Sequence, residues 1–296
     1  MDWDKLKTFH ACAETGSLSA AGNDLGLSQS AVSRQIAALE DDVGVPLFHR
    51  HARGLTQTEA GRMLHEATRQ MAATAKIAAS NLADIRDVPQ GELRVTAPVA
   101  FGSTWLAPKL ANFLTSFPLV RLQLLLDDRE YNLSNLEAEV AIRLWPAHQA
   151  ELVQKRLTVV RTSIYAARSY LEGKAPILEI DDLDQHAIIG YGAASPSPMS
   201  GVDWVTLVGR EGKKPRMPAV RINNVYGMLK AVEAGLGVAS LPDYMASGVP
   251  GLVKILPKLD GPSFDVYFIY PADLRKSKRI AAFRQFLTDQ VAAWPI

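Results

Sequence analysis

Gln29, Ser30, Ser33 and Arg34 combine short hydrogen-bonding side chains with one guanidinium, a set better suited to base edges and phosphates than to packing. Such residues share one face only on a helix. Val32, Ile36, Leu39 and Val43 recur at steps of four, three and four, which makes one buried stripe and leaves the four polar residues outside. Ser28 stands where its hydroxyl can accept from backbone N–H groups two or three residues on. Leu27 to Val43, LSQSAVSRQIAALEDDV, is therefore expected to be a helix with an apolar face and a hydrogen-bonding face. Taken alone, an ordinary amphipathic helix with a solvated face would fit equally well.

The neighbouring elements decide between the two. Leu6, Phe9 and Ala13 give a first helix its buried face, and Gly16 stops it; Ser17 or Ser19 caps a short second helix that ends at Gly26. Gly22 inside that helix should cost about 1 kcal/mol relative to alanine. Two short helices joined by the turn Gly26-Leu27-Ser28 form the helix-turn-helix pattern, with the polar face on the second. Beyond Gly44, the segment HRHARGLTQT predicts a two-stranded wing turning at Gly54, with Arg50 and Arg53 placed for the phosphate backbone. From Glu59 to Asp87 there is no proline and one glycine, Gly61, after a capping Thr58. Leu64, Met71, Ala78 and Ile85 fall seven apart, flanked by Ala60, Ala67, Ala75 and Leu82, and such a stripe needs a partner helix. His65 and Glu66 are expected to be solvated.

The order SLSAAG…LGLSQSAVSRQIAALEDDVGVPLFHR…GLTQTEAG resembles the N-terminal domain of the LysR-type transcriptional regulators, without a gap across about the first sixty residues. The resemblance implies a long helix that pairs two subunits, and a two-lobed effector domain like a periplasmic binding protein. As partners it implies a double-stranded DNA operator, a small-molecule effector, a second copy or three further copies (a homodimer or homotetramer) and RNA polymerase. Gly22 is a departure, since the family usually has a better helix former there. Residues 1–58 carry five basic and seven acidic side chains, an unusual balance for a DNA-binding domain. The acids lie at the start of the first helix and the far end of the third, away from Arg34, Arg50 and Arg53.

Val88-Pro89-Gln90-Gly91 breaks the long helix, and strands and helices then alternate. GELRVTAP, VRLQLLLDD, VAIRL, Leu152–Ala166, AIIGY, WVTLVG, GVASLP, LVKIL and FDVYFIY are expected as strands. Ser103–Phe117, a short Leu133–Glu139, Asn224–Ala234 and Ile280–Trp294 are expected as helices, and GREGK as a hairpin tip. The pattern predicts an α/β architecture of two lobes behind an all-α winged helix-turn-helix. The expected domains are 1–58 (DNA-binding), 59–87 (linker and dimerisation helix) and 91–296 (effector-binding). Within the last, one lobe takes about 91–160 and 266–296, the other about 161–265. The loop Gly192 to Gly201 follows a strand whose end would face the cleft.

Candidate effector-binding residues sit at these strand ends. Ser103 and Thr104 are expected to open a helix whose free N–H groups attract a carboxylate, with Asn224 doing the same from the other side. Arg143 would add a full charge and Trp145 an apolar wall, while Asp127 and Asp128 would oppose an anion. The expected effector is a small carboxylated organic molecule. No cofactor and no metal are expected: His49 and His51 flank Arg50 without further ligands, and Gly235-Leu236-Gly237 lies between a helix and a strand, the reverse of the dinucleotide-binding order. No GxSxG, HExxH, CxxC or SxxK run occurs, so an enzyme is not expected. The alternative is a two-lobed binding protein or enzyme with an accessory DNA-binding domain. The 296 residues are 48% hydrophobic and 21% charged, with net charge +1, which gives neither a strongly basic field nor a membrane span. The lone Cys12 and the charged N-terminus fit a cytoplasmic chain.

Overall fold

Three helices, each opened by a side-chain cap and closed by a left-handed glycine, build the front of the chain. Asp2 caps α1 (Trp3–Thr15), Ser17 caps α2 (Leu18–Leu25) and Ser28 caps α3 (Gln29–Val43); Gly16, Gly26 and Gly44 close them. The α2–α3 turn is tight. A Cβ on Gly22 would stand 2.6 Å from the Leu27 carbonyl oxygen, which accounts for a glycine where a better helix former was expected. Phe9, Cys12, Val32, Ile36 and Leu39 form the core, each at most 1% exposed. Burial pushes the Cys12 thiol up to about 11, so it is a packing group rather than a reactive thiolate.

β1 (Phe48–His51) and β2 (Gly54–Gln57) pair antiparallel as the wing. The Glu40 carboxylate at the far end of α3 accepts from the Leu47 and Phe48 N–H groups at 2.7 and 3.2 Å, fixing the wing's root to the third helix. α4 (Glu59–Ala83) follows, with the Thr58 hydroxyl accepting from the Gly61 N–H at 3.0 Å. Gly61 is the point of closest approach: a Cβ there would lie 2.1 Å from the Leu47 carbonyl oxygen. Gly61→Ala gains about 1 kcal/mol of helix propensity but forces that contact apart. The expected net loss is about 1–3 kcal/mol in urea unfolding followed by circular dichroism. Unchanged stability would mean the wing root can yield freely.

The structure is a computed structural model describing residues 2–51, 54–83, 88–147, 149, 151–192 and 201–294. The chain divides into two units, Met1–Ala79 with Ser134–Leu136, and Ser80–Leu133 with Glu137–Ile296. Arg53, Ile85 and residues 193–200 of the Ser/Pro loop lie outside the described residues.

In the second unit, β3 (Gly91–Ala97) leads through Pro98 into a helical run. The run comprises α5 (Val99–Phe101), a π turn over Gly102–Leu106, a tighter turn over Ala107–Lys109, and α6 (Leu110–Ser116). The π turn precedes Pro108, whose missing N–H and bulky ring disrupt ordinary helical bonding. β4 (Val120–Leu126) and β5 (Val140–Arg143) lie parallel to β3, on either side of it. β6 (Leu152–Ala167) is the longest strand, followed by α7 (Arg168–Leu171) and β7 (Ile189–Tyr191). Next come β8 (Val220–Ile222), α8 (Val225–Glu233), β9 (Ala239–Pro242) and α9 (Asp243–Ala246). β10 (Leu252–Ile255), β11 (Ser263–Pro271) and α10 (Lys278–Ala292) complete the order. β6 serves both lobes. Residues 152–161 pair with β11 in the first lobe, and residues 162–167 with β9 and β10 in the second.

Three local expectations fail. WVTLVG is not a strand: Trp204–Thr206 is a single helical turn, and the buried Arg216 guanidinium takes the Val205 and Val208 carbonyls that a ladder would have used, together with the Ile180 carbonyl from outside the segment. Leu133–Glu139 is a turn rather than a helix. Leu136 takes φ 51° and the Glu137 carboxylate accepts from the Asn132 N–H. GREGK makes turns with no flanking strands, so it is no hairpin tip.

Candidate nucleic-acid interface and ligand cleft

α3 has the two faces expected of it. Val32, Ile36 and Leu39 are buried, Val43 is half-buried, Gln29, Ser30 and Arg34 are exposed, and Ser33 is half-buried at the edge. From the wing, Arg50 Nη1 donates to Ser33 Oγ at 3.2 Å, so wing and helix share one polar surface. The Ser28 hydroxyl accepts from the Ala31 N–H and lies 3.0 Å from Ser30 Oγ. Four of the seven acids hold the fold together. Asp2 caps α1, Asp42 pairs with Lys5 at 2.8 Å, Glu40 holds the wing, and Glu14 meets His65 and Arg69, each at 2.8 Å.

The second unit has a cleft of about 460 Å³, open mouth included, between its lobes. Leu144 and Trp145 line it from one lobe, and Tyr191, Val225 and Tyr244 from the other; Asp128 is the one charged residue among the described lining. Of the expected residues only Trp145 faces this space, its Nε1 donating to Glu130 at 2.7 Å.

Ser103 and Thr104 do not open a helix. The helical run starts at Val99, with Pro98 as its N-cap, so both residues lie a turn further in, and the Thr104 hydroxyl donates to the Ala100 carbonyl at 2.7 Å. Arg143 is no free charge. It is 4% exposed, and its guanidinium donates to the Ile142 and Arg129 carbonyls and to the Thr96 hydroxyl. Burial lowers its pKa to about 10. Asn224 caps α8 as expected, its side-chain oxygen accepting from the Gly227 N–H at 3.0 Å. Its amide nitrogen, however, donates to Asp128 Oδ2 at 2.8 Å, while Asp128 Oδ1 accepts from the Val99 N–H at 3.0 Å. Burial raises the Asp128 carboxyl above its ordinary range, and these two donors hold the rise back.

Residues 86–292 match the LysR substrate binding domain family, and residues 3–62 the bacterial regulatory helix-turn-helix family of lysR type. The chain belongs to the LysR family. It is a DNA-binding transcriptional regulator with an effector-binding domain. An HTH-type transcriptional regulator of Xanthomonas campestris pv. campestris is 30% identical over 98% of this chain and 86% of its own. The regulator PtxR of Pseudomonas aeruginosa is 29% identical over 100% of this chain and 95% of its own. Full-length CbnR, solved as a complex with target DNA, shares the fold at TM-score 0.67 and 22% identity, over 98% of this chain and 100% of that one. These relatives are regulators, not enzymes. Among the described residues no helix is long and apolar enough to cross a membrane.

In this LysR-type regulator the long helix departs from expectation at Ala60 and Leu64, which pack on the front unit's own core, and at His65. His65 is not solvated but 7% exposed, with Nδ1 3.0 Å from the Gln57 amide nitrogen and Nε2 2.8 Å from Glu14. The reason is that α4 packs on α1 through His65 and Thr68, so a polar-looking helix face is buried. Burial alone would raise the Glu14 carboxyl, but Arg69 and His65 hold it below its usual range. His10, Glu14 and His65 bring donor atoms within 4.8 Å of one another. The Gln57 amide donates into His65 Nδ1, which leaves the proton on Nε2 facing Glu14, and Arg69 already neutralises that carboxylate. The cluster is a hydrogen-bonded clamp. Of this lining the sequence reasoning had selected Trp145 alone; Asp128, noted there only as an obstacle to anions, was the available signal for the rest.

Proposed function

We propose that this LysR-type regulator reads its operator through the α3 face, Gln29, Ser30, Ser33 and Arg34, with Arg50 and Arg53 on the phosphate backbone. The observation that carries the reading is the 3.2 Å bond from Arg50 to Ser33, which supports one continuous polar surface of helix and wing. The relative CbnR, solved with its target DNA, supports double-stranded DNA as the partner. Labour is divided along the chain: 1–58 reads DNA, 59–87 pairs subunits into a dimer or tetramer, and 91–296 binds a small organic effector between its lobes. The regulator acts in the cytoplasm, with RNA polymerase as the partner at the promoter.

Arg34→Ala is expected to weaken operator binding by about 1–3 kcal/mol, roughly 5–150-fold, and to relax selectivity at one base pair. Arg53→Ala should weaken all sequences alike and flatten the salt dependence. Gel shifts on specific and scrambled DNA separate the two. An Arg34→Ala protein that binds its operator as tightly as the parent removes the assignment.

A further inference from the structure

The carboxylate of Asp128 stands where an anionic ligand would be expected. Its two oxygens take the first N–H of the helical run after Pro98 and the side chain that caps α8, one donor from each lobe. The cleft therefore carries its own anion at the point where both helices begin. The other charged groups nearby are engaged elsewhere. Asp127 pairs with Arg129, Glu130 holds Trp145, and Arg143 is spent on two carbonyls and Thr96. From the second lobe, Asp243 accepts from the Tyr165 hydroxyl and lies 3.6 Å from Lys254, and Arg221 lies 3.6 Å from Asp203. No basic residue is among the described lining, and the remaining walls are apolar or aromatic.

On the reading that the effector binds in this cleft, we infer that the effector is an aromatic molecule bearing an N–H donor, neutral or cationic, and not a carboxylate. The donor meets Asp128, and the ring lies among Trp145, Val225 and Tyr244. A carboxylate placed there would face a like charge in a partly desolvated site and find both helix starts already taken. A cation gains the opposite interaction with Asp128 and the electron-rich faces of the aromatic walls. On this inference a neutral or cationic N–H donor takes the place of the expected carboxylated effector.

Benzamidine, benzamide and benzoate share one ring and differ in head-group charge, so they isolate this term. Isothermal titration calorimetry on the full-length protein should show benzamidine binding at least tenfold more tightly than benzoate, with benzamide between. Asp128→Asn should abolish or reverse that order, and Val225→Trp, which fills the cleft, should remove binding of all three. Benzamidine binding no tighter than benzoate on the parent protein, absence of both included, overturns the inference and needs no variant. The same order persisting in Asp128→Asn also overturns it. Binding undisturbed by Val225→Trp overturns the cleft as the effector site. Carboxylate-favouring binding that Val225→Trp abolishes would leave the cleft standing and remove only the ligand class.

Discussion

Met71→Asp is expected to separate the regulator into single chains and to weaken binding to a full-length operator about 10²–10⁴-fold. The range is the avidity lost when two linked half-site contacts become one. The stripe that begins with Ala60 and Leu64 packs against the front unit's own core. Further along it turns outward: Ala67, Met71, Ala75, Ala78 and Leu82 are all exposed, Met71 at 39% and Leu82 at 67%. Among the described residues nothing covers this row, and on the proposed division of labour a second copy would supply the matching one. Across a two-fold axis the Met71→Asp substitution enters the seam once from each chain, leaving two carboxylates without counter-charges. Sedimentation velocity reads the subunit count, and gel shifts on full and half operators read the avidity. A variant that still sediments as a dimer with parental affinity would move the subunit contact elsewhere.

Arg279→Met is expected to be the most damaging single change in the effector-binding unit. Arg279 from α10 and Glu139 just before β5 form a buried ion pair, 5% and 7% exposed. The second Glu139 oxygen accepts from the Arg94 N–H at 3.1 Å, and the Glu139 N–H donates to the Arg94 carbonyl at 2.9 Å. The pair therefore joins the C-terminal helix to β3. Removing the guanidinium leaves a buried carboxylate uncompensated, at a cost of about 3–5 kcal/mol. For a unit of this size the melting temperature should fall by roughly 6–20 °C in calorimetry. The double substitution Glu139→Gln/Arg279→Met should recover most of the loss, because neither partner then stays charged. A single variant that melts with the parent would show that water reaches the pair.

The front of the chain was legible because its determinants are local. Stripes such as Val32–Ile36–Leu39 and caps such as Ser28 act within a turn or two of helix, and spacing alone exposes them. What escaped depended on distant partners. His65 looks like a surface histidine until α1 is laid against it. WVTLVG has a strand's composition, but Arg216 downstream claims its carbonyls. Ser103 has the right type for a helix cap, yet the chain had already turned helical behind Pro98. The position of the cleft followed from strand order. Its electrostatic sign did not, because that depends on Asp128 meeting donors from residues 99 and 224, which only the folded chain brings together.

The long strand β6 has a consequence for how this architecture can be recombined. The chain leaves the first lobe between Arg161 and Thr162 and re-enters it at Ser263. The crossing is stitched by the Thr162 N–H and hydroxyl, both donating to the Pro262 carbonyl at 3.0 and 2.9 Å. The second lobe is therefore an insertion whose two ends emerge side by side. A chimeric sensor that borrows another ligand lobe must cut twice, at these adjoining points, and must graft half of a strand whose other half stays behind. Exchanging the operator-reading module takes a single cut along one helix. Transplanting DNA specificity should therefore succeed far more often than transplanting half of the sensor.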